Sequence, residues 1–213
     1  FSRIIAESTD AEERKNYYDI VEANNERLLQ LINEILDLSK IEAGMVEFTI
    51  APMRLHLLCN EIYNALKFRC PMGVELVYEA SDEDIVIEGD KNRIFQVVSN
   101  LIGNAFKFTT NGSVSYGYRK GNEIEFHVSD TGIGIEADKL SKVFERFVKV
   151  NSFAQGTGLG LSICKTIIER LGGTISVSSE MGKGTTFLFT LPLSESKKEA
   201  AAKQKEKTDG QKE

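Results

Sequence analysis

Histidine and cysteine are scarce in this sequence. Only two histidines, His56 and His127, occur among 213 residues, which argues against a metal site built on a cluster of histidines. The three cysteines, Cys59, Cys70 and Cys164, lie far apart and show no paired spacing. This spacing excludes a disulfide or zinc framework and predicts reduced core thiols, as in a cytoplasmic protein.

Long apolar runs and a surplus of positive charge are also missing. No apolar run approaches the roughly 20 residues that cross a bilayer, and no signal peptide is visible. We therefore expect no membrane contact within these residues. The formal net charge of −6 leaves no basic surplus to neutralise phosphates, which argues against nucleic acid as a main partner.

The first part of the sequence predicts one long helix over residues 11–43. Its apolar residues recur three and four apart and form a face suited to a four-helix bundle: Val21, Leu28, Leu29, Leu31, Ile32, Ile35, Leu36 and Leu38. Residues 1–6 can supply only the end of a partner helix. We therefore expect residues 1–44 to be a truncated helical hairpin that forms a homodimer through residues 11–43. The alternative is a helix that lies on the globular domain.

Gly44 is expected to end this helix, and residues 45–193 predict one α/β domain. Helices are expected at 54–68, 90–109, 137–145 and 159–171, with Asp90 as an N-cap. Strands are expected at 45–50, 74–79, 84–88, 113–118, 123–129, 174–179 and 185–191, with a turn at 81–83 and a loop at 151–158. Residues 194–213, rich in lysine and glutamate, predict a disordered charged tail.

The predicted helix 90–109 has an unusual polar face. Asn100, Asn104 and Lys107 follow one another four and three residues apart, so they stack along one side. Asparagine is a mediocre helix former, but its amide oxygen suits a hard cation, and lysine suits a phosphate. The alternative is an ordinary solvated face.

Three glycine-bearing segments accompany this helix. Asp130-Thr-Gly132-Ile-Gly134 follows a strand and can hold a carboxylate at the floor of a pocket, or it is simply a turn. Residues 156–162 open a helix whose free amide groups favour a phosphate, or they form a flexible loop. Residues 182–185 predict a hairpin turn.

The order and spacing of these segments resemble those in the sensor histidine kinases of two-component systems. The ATP-binding domain of these kinases is shared with DNA gyrase, heat-shock chaperone ATPases and mismatch-repair ATPases. Residues 100–109 match the N box, 130–134 the G1 box, 144–147 the F box and 156–161 the G2 box. The resemblance covers about residues 11–192. Residues 37–44 also resemble the exit of the dimerisation helix in hybrid-type kinases.

The resemblance implies an α+β fold, a Bergerat-type α/β sandwich in which helices cover one face of a mixed sheet. It implies ATP and Mg²⁺ as cofactors and a response-regulator receiver domain as partner. The implied reaction transfers the γ-phosphate of ATP to a histidine, for relay to an aspartate of the response regulator. The implied location is the cytoplasmic part of a longer sensor.

The resemblance also assigns site residues. Asn104 would ligate Mg²⁺, with Asn100 beside it at the phosphates, and Lys107 would face the phosphate chain. Lys149 would reach the γ-phosphate from a lid at about residues 147–157. Asn104, Lys107 and Lys149 would thus serve the transfer itself.

The remaining assignments concern the adenine and the phosphate cradle. Asp130 would bind the adenine amino group, with Gly132 and Gly134 shaping the pocket. The residues that would cradle the phosphates are Gly156, Thr157, Gly158, Leu159 and Gly160.

One part of the family pattern is missing. The phosphoacceptor histidine box is expected about a dozen residues before Phe1, outside this sequence. His56 and His127 are not on the predicted dimerisation helix, so we expect both to be structural. Two alternatives stay open: a serine kinase or ATPase of the same ATP-binding family, or a non-catalytic nucleotide-binding or dimerisation module.

Overall fold

The computed structural model describes residues 10–45, 47–81, 83–148 and 157–193. The helices within these ranges are α1 (Ala11–Glu42), α2 (Leu55–Leu66), α3 (Lys91–Phe108), α4 (Ala137–Leu140) and α5 (Gly160–Arg170). The strands are β1 (Ala51–Arg54), β2 (Val74–Glu79), β3 (Val86–Gly89), β4 (Gly112–Lys120), β5 (Ile124–Asp130), β6 (Ile175–Glu180) and β7 (Gly184–Leu191). The predicted tail, residues 194–213, lies outside the described residues.

Helix α1 begins and ends on recognisable caps. The Asp10 side chain accepts hydrogen bonds from the backbone amides of Glu12 and Glu13, at 2.8 and 3.3 Å. At the other end Gly44 adopts φ +69°, a conformation that glycine accepts without strain. The prediction that Gly44 ends this helix is therefore confirmed.

One stripe of α1 packs on the globular domain. Leu38 and Ile41 are buried in its core, and Leu31 packs against that core. Large apolar side chains on the rest of the helix remain exposed: Leu28, Leu29, Ile32, Ile35 and Leu36. One face of α1 therefore lies on the domain, as the alternative prediction had it. The other apolar face of α1 is exposed and available to a partner helix.

The main sheet has five strands in the order β2-β4-β5-β7-β6. The β2–β4 pair is parallel, and the other three pairs are antiparallel. Helices α2, α3 and α5 cover the face that contains Tyr116, Phe126 and Phe189, and the Tyr116 hydroxyl donates a 2.8 Å hydrogen bond to the Cys59 carbonyl of α2. The expected mixed sheet with helices on one face is confirmed.

The predicted strand at 45–50 is wrong. The first strand is β1, at 51–54, and it pairs only with β3 in a separate two-stranded sheet. The segment before β1 is held by a side chain instead of a neighbouring strand, because the Thr49 amide donates to the Asp90 carboxylate at 2.9 Å.

The strands predicted on either side of residues 81–83 do not pair with each other, because β2 and β3 belong to different sheets. An alternating pattern predicts a strand but does not name its partner. The predicted helix 137–145 is α-helical only over Ala137–Leu140, and turns follow it.

The cysteines and histidines are placed as structural residues. Cys59 and Cys164 are buried, and burial raises the pKa of each thiol to about 12, so neither is a reactive thiolate. His127 reaches across the strand between them to Glu79, with Nε2 and Oε2 3.0 Å apart. His56 contacts Tyr78 and Asn60.

Across the described part of the chain, no helix combines the length and the apolar character that a bilayer crossing requires.

Candidate functional site

Helix α3 presents the two asparagines beside a fully apolar face. Asp90 starts the helix, as predicted, by accepting from the Arg93 amide at 3.1 Å. The buried side of the helix consists of Ile94, Val97, Val98, Leu101, Ile102 and Ala105. Asn100 and Asn104 are half-buried, and Lys107 is exposed. Packing of the apolar side therefore fixes the direction in which the polar face points.

Asn100 lies directly on the start of α5. A Cβ atom on Gly160 would come within 2.7 Å of both polar atoms of the Asn100 amide. Below this contact, Cys164 of α5 is buried against α3, and its thiol approaches the Val97 carbonyl. Residues predicted from two separate motifs, the N box and the G2 box, are thus in contact.

Asp130 stands at the end of β5, where a carboxylate was predicted. Its Oδ1 atom accepts a 2.8 Å hydrogen bond from the Gly132 amide, and it also accepts from the Thr185 backbone. Partial burial raises its pKa, and these two hydrogen bonds oppose the rise. A carboxylate has about four lone-pair positions, so Asp130 keeps acceptor capacity for an amino group.

The G1 loop is tied to the end of α3. The Ile133 amide donates to the Phe108 carbonyl at 3.1 Å. A Cβ atom on Gly132 would lie 2.3 Å from that same carbonyl oxygen. Only glycine permits this approach, so Gly132 sets the distance between the asparagine helix and Asp130.

The third glycine segment does more than turn the chain. It forms the predicted turn between β6 and β7, and it also packs on the G1 loop. The Gly182 amide donates to the Ile133 carbonyl at 2.8 Å, and a Cβ on Gly184 would lie 1.9 Å from the Asp130 carbonyl oxygen. Gly134 has φ +73°, and a Cβ there would lie 2.2 Å from the Glu180 carbonyl oxygen.

Thr185 is a residue of this pocket that sequence reasoning missed. It pairs with Asp130 across β5 and β7, and its side chain is buried with its hydroxyl 3.0 Å from that of Ser179. The signal that would have found it is the register between two strands 55 residues apart in sequence. A sequence pattern does not supply that register.

The F box meets the G2 box at the base of the predicted lid. The Phe147 amide donates to the Gly158 carbonyl at 2.9 Å. Phe147 has φ 61° and Gly158 has φ +78°, and a Cβ on Gly158 would crowd the Phe147 backbone. Lys149, Gly156 and most of the predicted lid lie outside the described residues.

The start of α5 is also joined to α1. The Thr157 hydroxyl donates to the Glu34 carboxylate and accepts from the Leu159 amide at 3.3 Å. The Leu159 side chain is fully buried, so only its backbone can face a ligand. Glu34 was not predicted as a site residue.

The donor set suits a magnesium ion that takes its other ligands from phosphates and water. Among the described residues, no group of three or more histidine, cysteine, aspartate or glutamate side chains could hold a metal. Asn104 offers a half-buried amide oxygen, and Mg²⁺ is commonly held by one or two protein oxygens together with substrate phosphates.

Comparison with known proteins assigns the family. A family model described as histidine kinase-, DNA gyrase B- and HSP90-like ATPase matches residues 89–195, half of the chain. The chain belongs to this ATPase family. A second model, described as the His Kinase A (phospho-acceptor) domain, matches residues 1–44. Together the two matches assign the chain to the sensor histidine kinases.

Curated relatives agree with this assignment. The chain is 38% identical over 206 residues to the autoinducer 2 sensor kinase/phosphatase LuxQ of Vibrio parahaemolyticus. This alignment covers 90% of the chain and 24% of LuxQ. It is 35% identical over 190 residues to the circadian input-output histidine kinase CikA of Synechococcus elongatus, covering 85% and 25% respectively. The chain therefore spans about a quarter of the length of these relatives.

Solved structures share the fold. Full-length ShkA in complex with AMPPNP superimposes with a TM-score of 0.76 at 29% identity, over 90% of this chain and 41% of ShkA. Histidine kinase ThkA in complex with the response regulator protein TrrA superimposes with a TM-score of 0.74 at 28% identity, over 91% of this chain and 55% of that chain.

Proposed function

We propose that this histidine kinase region binds Mg·ATP between α3, the G1 loop and the start of α5, for transfer of the γ-phosphate to a histidine. The observation that carries the proposal is the contact between Asn100 and Gly160. Because of this contact, the polar face of α3 and the amide-bearing start of α5 border the same space.

Each described residue has a role that its chemistry supports. Asp130 would accept a hydrogen bond from the adenine amino group, with Gly132 and Gly134 holding the backbone close. Asn104 would provide an oxygen ligand to Mg²⁺, and Lys107 would face the phosphates as a positive charge. Bound Mg²⁺ would supply neutralisation of phosphate charge, since phosphoryl transfer depends mainly on positioning and electrostatics.

The start of α5 would hold the phosphates through backbone groups. Amide groups at a helix N-terminus favour anions, and the helix dipole adds about 0.3–1 kcal/mol per charge. Asn100 would keep this helix start beside α3. Lys149 and Gly156 retain their predicted roles at the phosphates, as part of the same proposal.

The partners follow from the relatives. ThkA, a relative of solved structure, is in complex with a response regulator, and we propose a response-regulator receiver domain as a partner of this protein. The exposed apolar face of α1 and the match of residues 1–44 to the His Kinase A model support a homodimer through residues 11–43. We place this region in the cytoplasm, where ATP and response regulators are available.

Calorimetry with and without Mg²⁺ tests the nucleotide site. We expect Asn104→Ala to weaken Mg·ATP binding by at least about tenfold, the loss typical of removing even a residue that only orients a metal ligand. Binding in the absence of Mg²⁺ should change little. Asn92→Ala, at an exposed position of the same helix, is the matched control. Equal Mg·ATP affinity of Asn104→Ala and wild type would exclude the assigned role.

A phosphorylation assay separates the kinase from the alternatives. The chain is mixed with a partner domain that carries a histidine box, and acid-labile phosphohistidine is measured from labelled ATP. Binding of ATP without phosphohistidine would favour an ATPase or serine kinase of the same family. Absence of Mg·ATP binding would leave only an interaction module.

A further inference from the structure

Glu34 occupies an unusual position on α1. The side of α1 that packs on the globular domain is a stripe spaced three, four and three residues apart: Leu31, Glu34, Leu38 and Ile41. Leu38 is 6% exposed, Ile41 is 0% exposed, and Leu31 packs against the same core. Glu34 is half-buried within this apolar stripe. Since charged side chains at such positions are costly to bury unless they are paired, its partner is informative.

One partner of Glu34 is Thr157, which lies three residues before the first residue of α5. The Glu34 carboxylate accepts from the Thr157 hydroxyl, and the same hydroxyl accepts from the Leu159 amide at 3.3 Å. At the opposite end of α5, the Arg170 guanidinium donates to the Ile41 carbonyl of α1. Thr157, just before α5, and Arg170, in its last turn, thus each make a polar contact with α1.

These contacts bring a carboxylate to the segment that the proposed function assigns to the phosphates. The N-terminus of a helix attracts anions through its free amides and its dipole. Here the Thr157 hydroxyl takes up the Leu159 amide, and its own proton is committed to Glu34. Glu34 is therefore linked to the Leu159 amide through Thr157, and its negative charge opposes an anion at the start of α5.

We propose that Glu34 is a positioning residue that competes with the phosphates of ATP for the start of α5, so that docking of α1 lowers ATP affinity. This inference rests on the proposed function. Competition is reciprocal by thermodynamic linkage. ATP binding therefore weakens the contact between α1 and α5. Occupancy of the nucleotide site thus changes how firmly α1 is held on the domain.

The first experiment measures Mg·ATP affinity of the whole chain by calorimetry. Glu34→Gln keeps the shape and an acceptor oxygen while removing the charge. We expect it to bind Mg·ATP about fivefold or more tightly than wild type, the lower end of typical couplings between sites. Glu26→Gln, at an exposed position of the same helix, removes an equal charge and should bind within about twofold of wild type.

A double-mutant cycle isolates the contact. Thr157→Val removes the hydroxyl that links Glu34 to α5. This single substitution has its own effect on Mg·ATP affinity, which the cycle subtracts. In the Thr157→Val background, Glu34→Gln should have a clearly smaller effect than in the wild-type background, because interacting residues are not additive. Equal effects in both backgrounds would overturn the competition through Thr157.

A measurement on the wild-type chain avoids any dependence on variant folding. Hydrogen exchange of the α1 amides at 31–41 should become faster when saturating Mg·ATP is added. Unchanged or slower exchange would overturn the inference, as would unchanged or weaker Mg·ATP binding by Glu34→Gln. If the wild-type chain binds no Mg·ATP, the proposed function itself fails, and the two failures are thereby distinguished.

Discussion

Replacing Asp130 by asparagine tests the adenine end of the site. The Asp130 carboxylate already accepts from the Gly132 amide at 2.8 Å and from the Thr185 backbone, and it would use a remaining lone pair for the adenine amino group. A hydrogen bond to a charged group contributes about 1.5–3 kcal/mol. Its loss corresponds to a rise in the dissociation constant for Mg·ATP of roughly 10- to 150-fold.

Asp130 should also give the wild-type protein a pH dependence that the Asp130→Asn variant lacks. Partial burial raises the pKa of Asp130 from its ordinary value, so wild-type ATP affinity should begin to fall at a higher pH than for an exposed aspartate. The effect on folding has the opposite sign. A raised carboxyl pKa contributes stability that is fully present below the unfolded pKa and is lost as pH rises through the folded pKa. Asp130→Asn should lack both effects.

Calorimetric titration with Mg·ATP across a pH series, together with thermal unfolding at each pH, measures both effects. Asp138→Asn, an exposed carboxylate in α4, is the control and should retain the wild-type affinity and pH profile. The reasoning is refuted if Asp130→Asn binds ATP within about twofold of wild type, or if its pH profile parallels the wild-type profile. Equal binding of ATP and GTP by wild type would contradict the assumption that adenine is read here.

Two further predictions concern the packing that holds the site. Gly132→Ala would place a Cβ 2.3 Å from the Phe108 carbonyl oxygen. It should lower the free energy of unfolding by about 1–3 kcal/mol and weaken ATP binding. A wild-type free energy of unfolding in urea would contradict this close contact. Ile41→Ala, at a fully buried position, should cost about 2–5 kcal/mol in urea unfolding. Ile50→Ala, at a position 47% exposed, should cost much less. An Ile41→Ala loss as small as that of Ile50→Ala would show that α1 does not stabilise the domain.

The local elements of the fold were accessible from the sequence. Asp90 as the N-cap of α3 and Gly44 after α1 were both predicted, and both are observed. The strand predicted at 123–129 is observed as β5, and its alternation puts Phe126 inside and His127 on the other face. These features depend on repeats of about two or 3.6 residues and on caps, which short stretches of sequence encode.

The errors concern segments whose state depends on distant residues. The segment 45–50 has strand-like residues, but its Thr49 amide bonds to Asp90, 41 residues away. The pattern of β2 and β3 predicted two strands correctly and could not show that β2 pairs with β4 in parallel. Pairing is decided by burial across the whole domain, so it is not written in either strand alone.

The chemistry of the site follows the same division. The sequence by itself determined which groups are present: two asparagines one helical turn apart, an aspartate at a strand end and amides at a glycine-rich helix start. Only the tertiary structure decided their distances. It placed Asn100 on Gly160, Thr185 beside Asp130 and Glu34 on Thr157. Such contacts join residues 55 or more positions apart, and packing of the intervening core sets them, which no local pattern specifies.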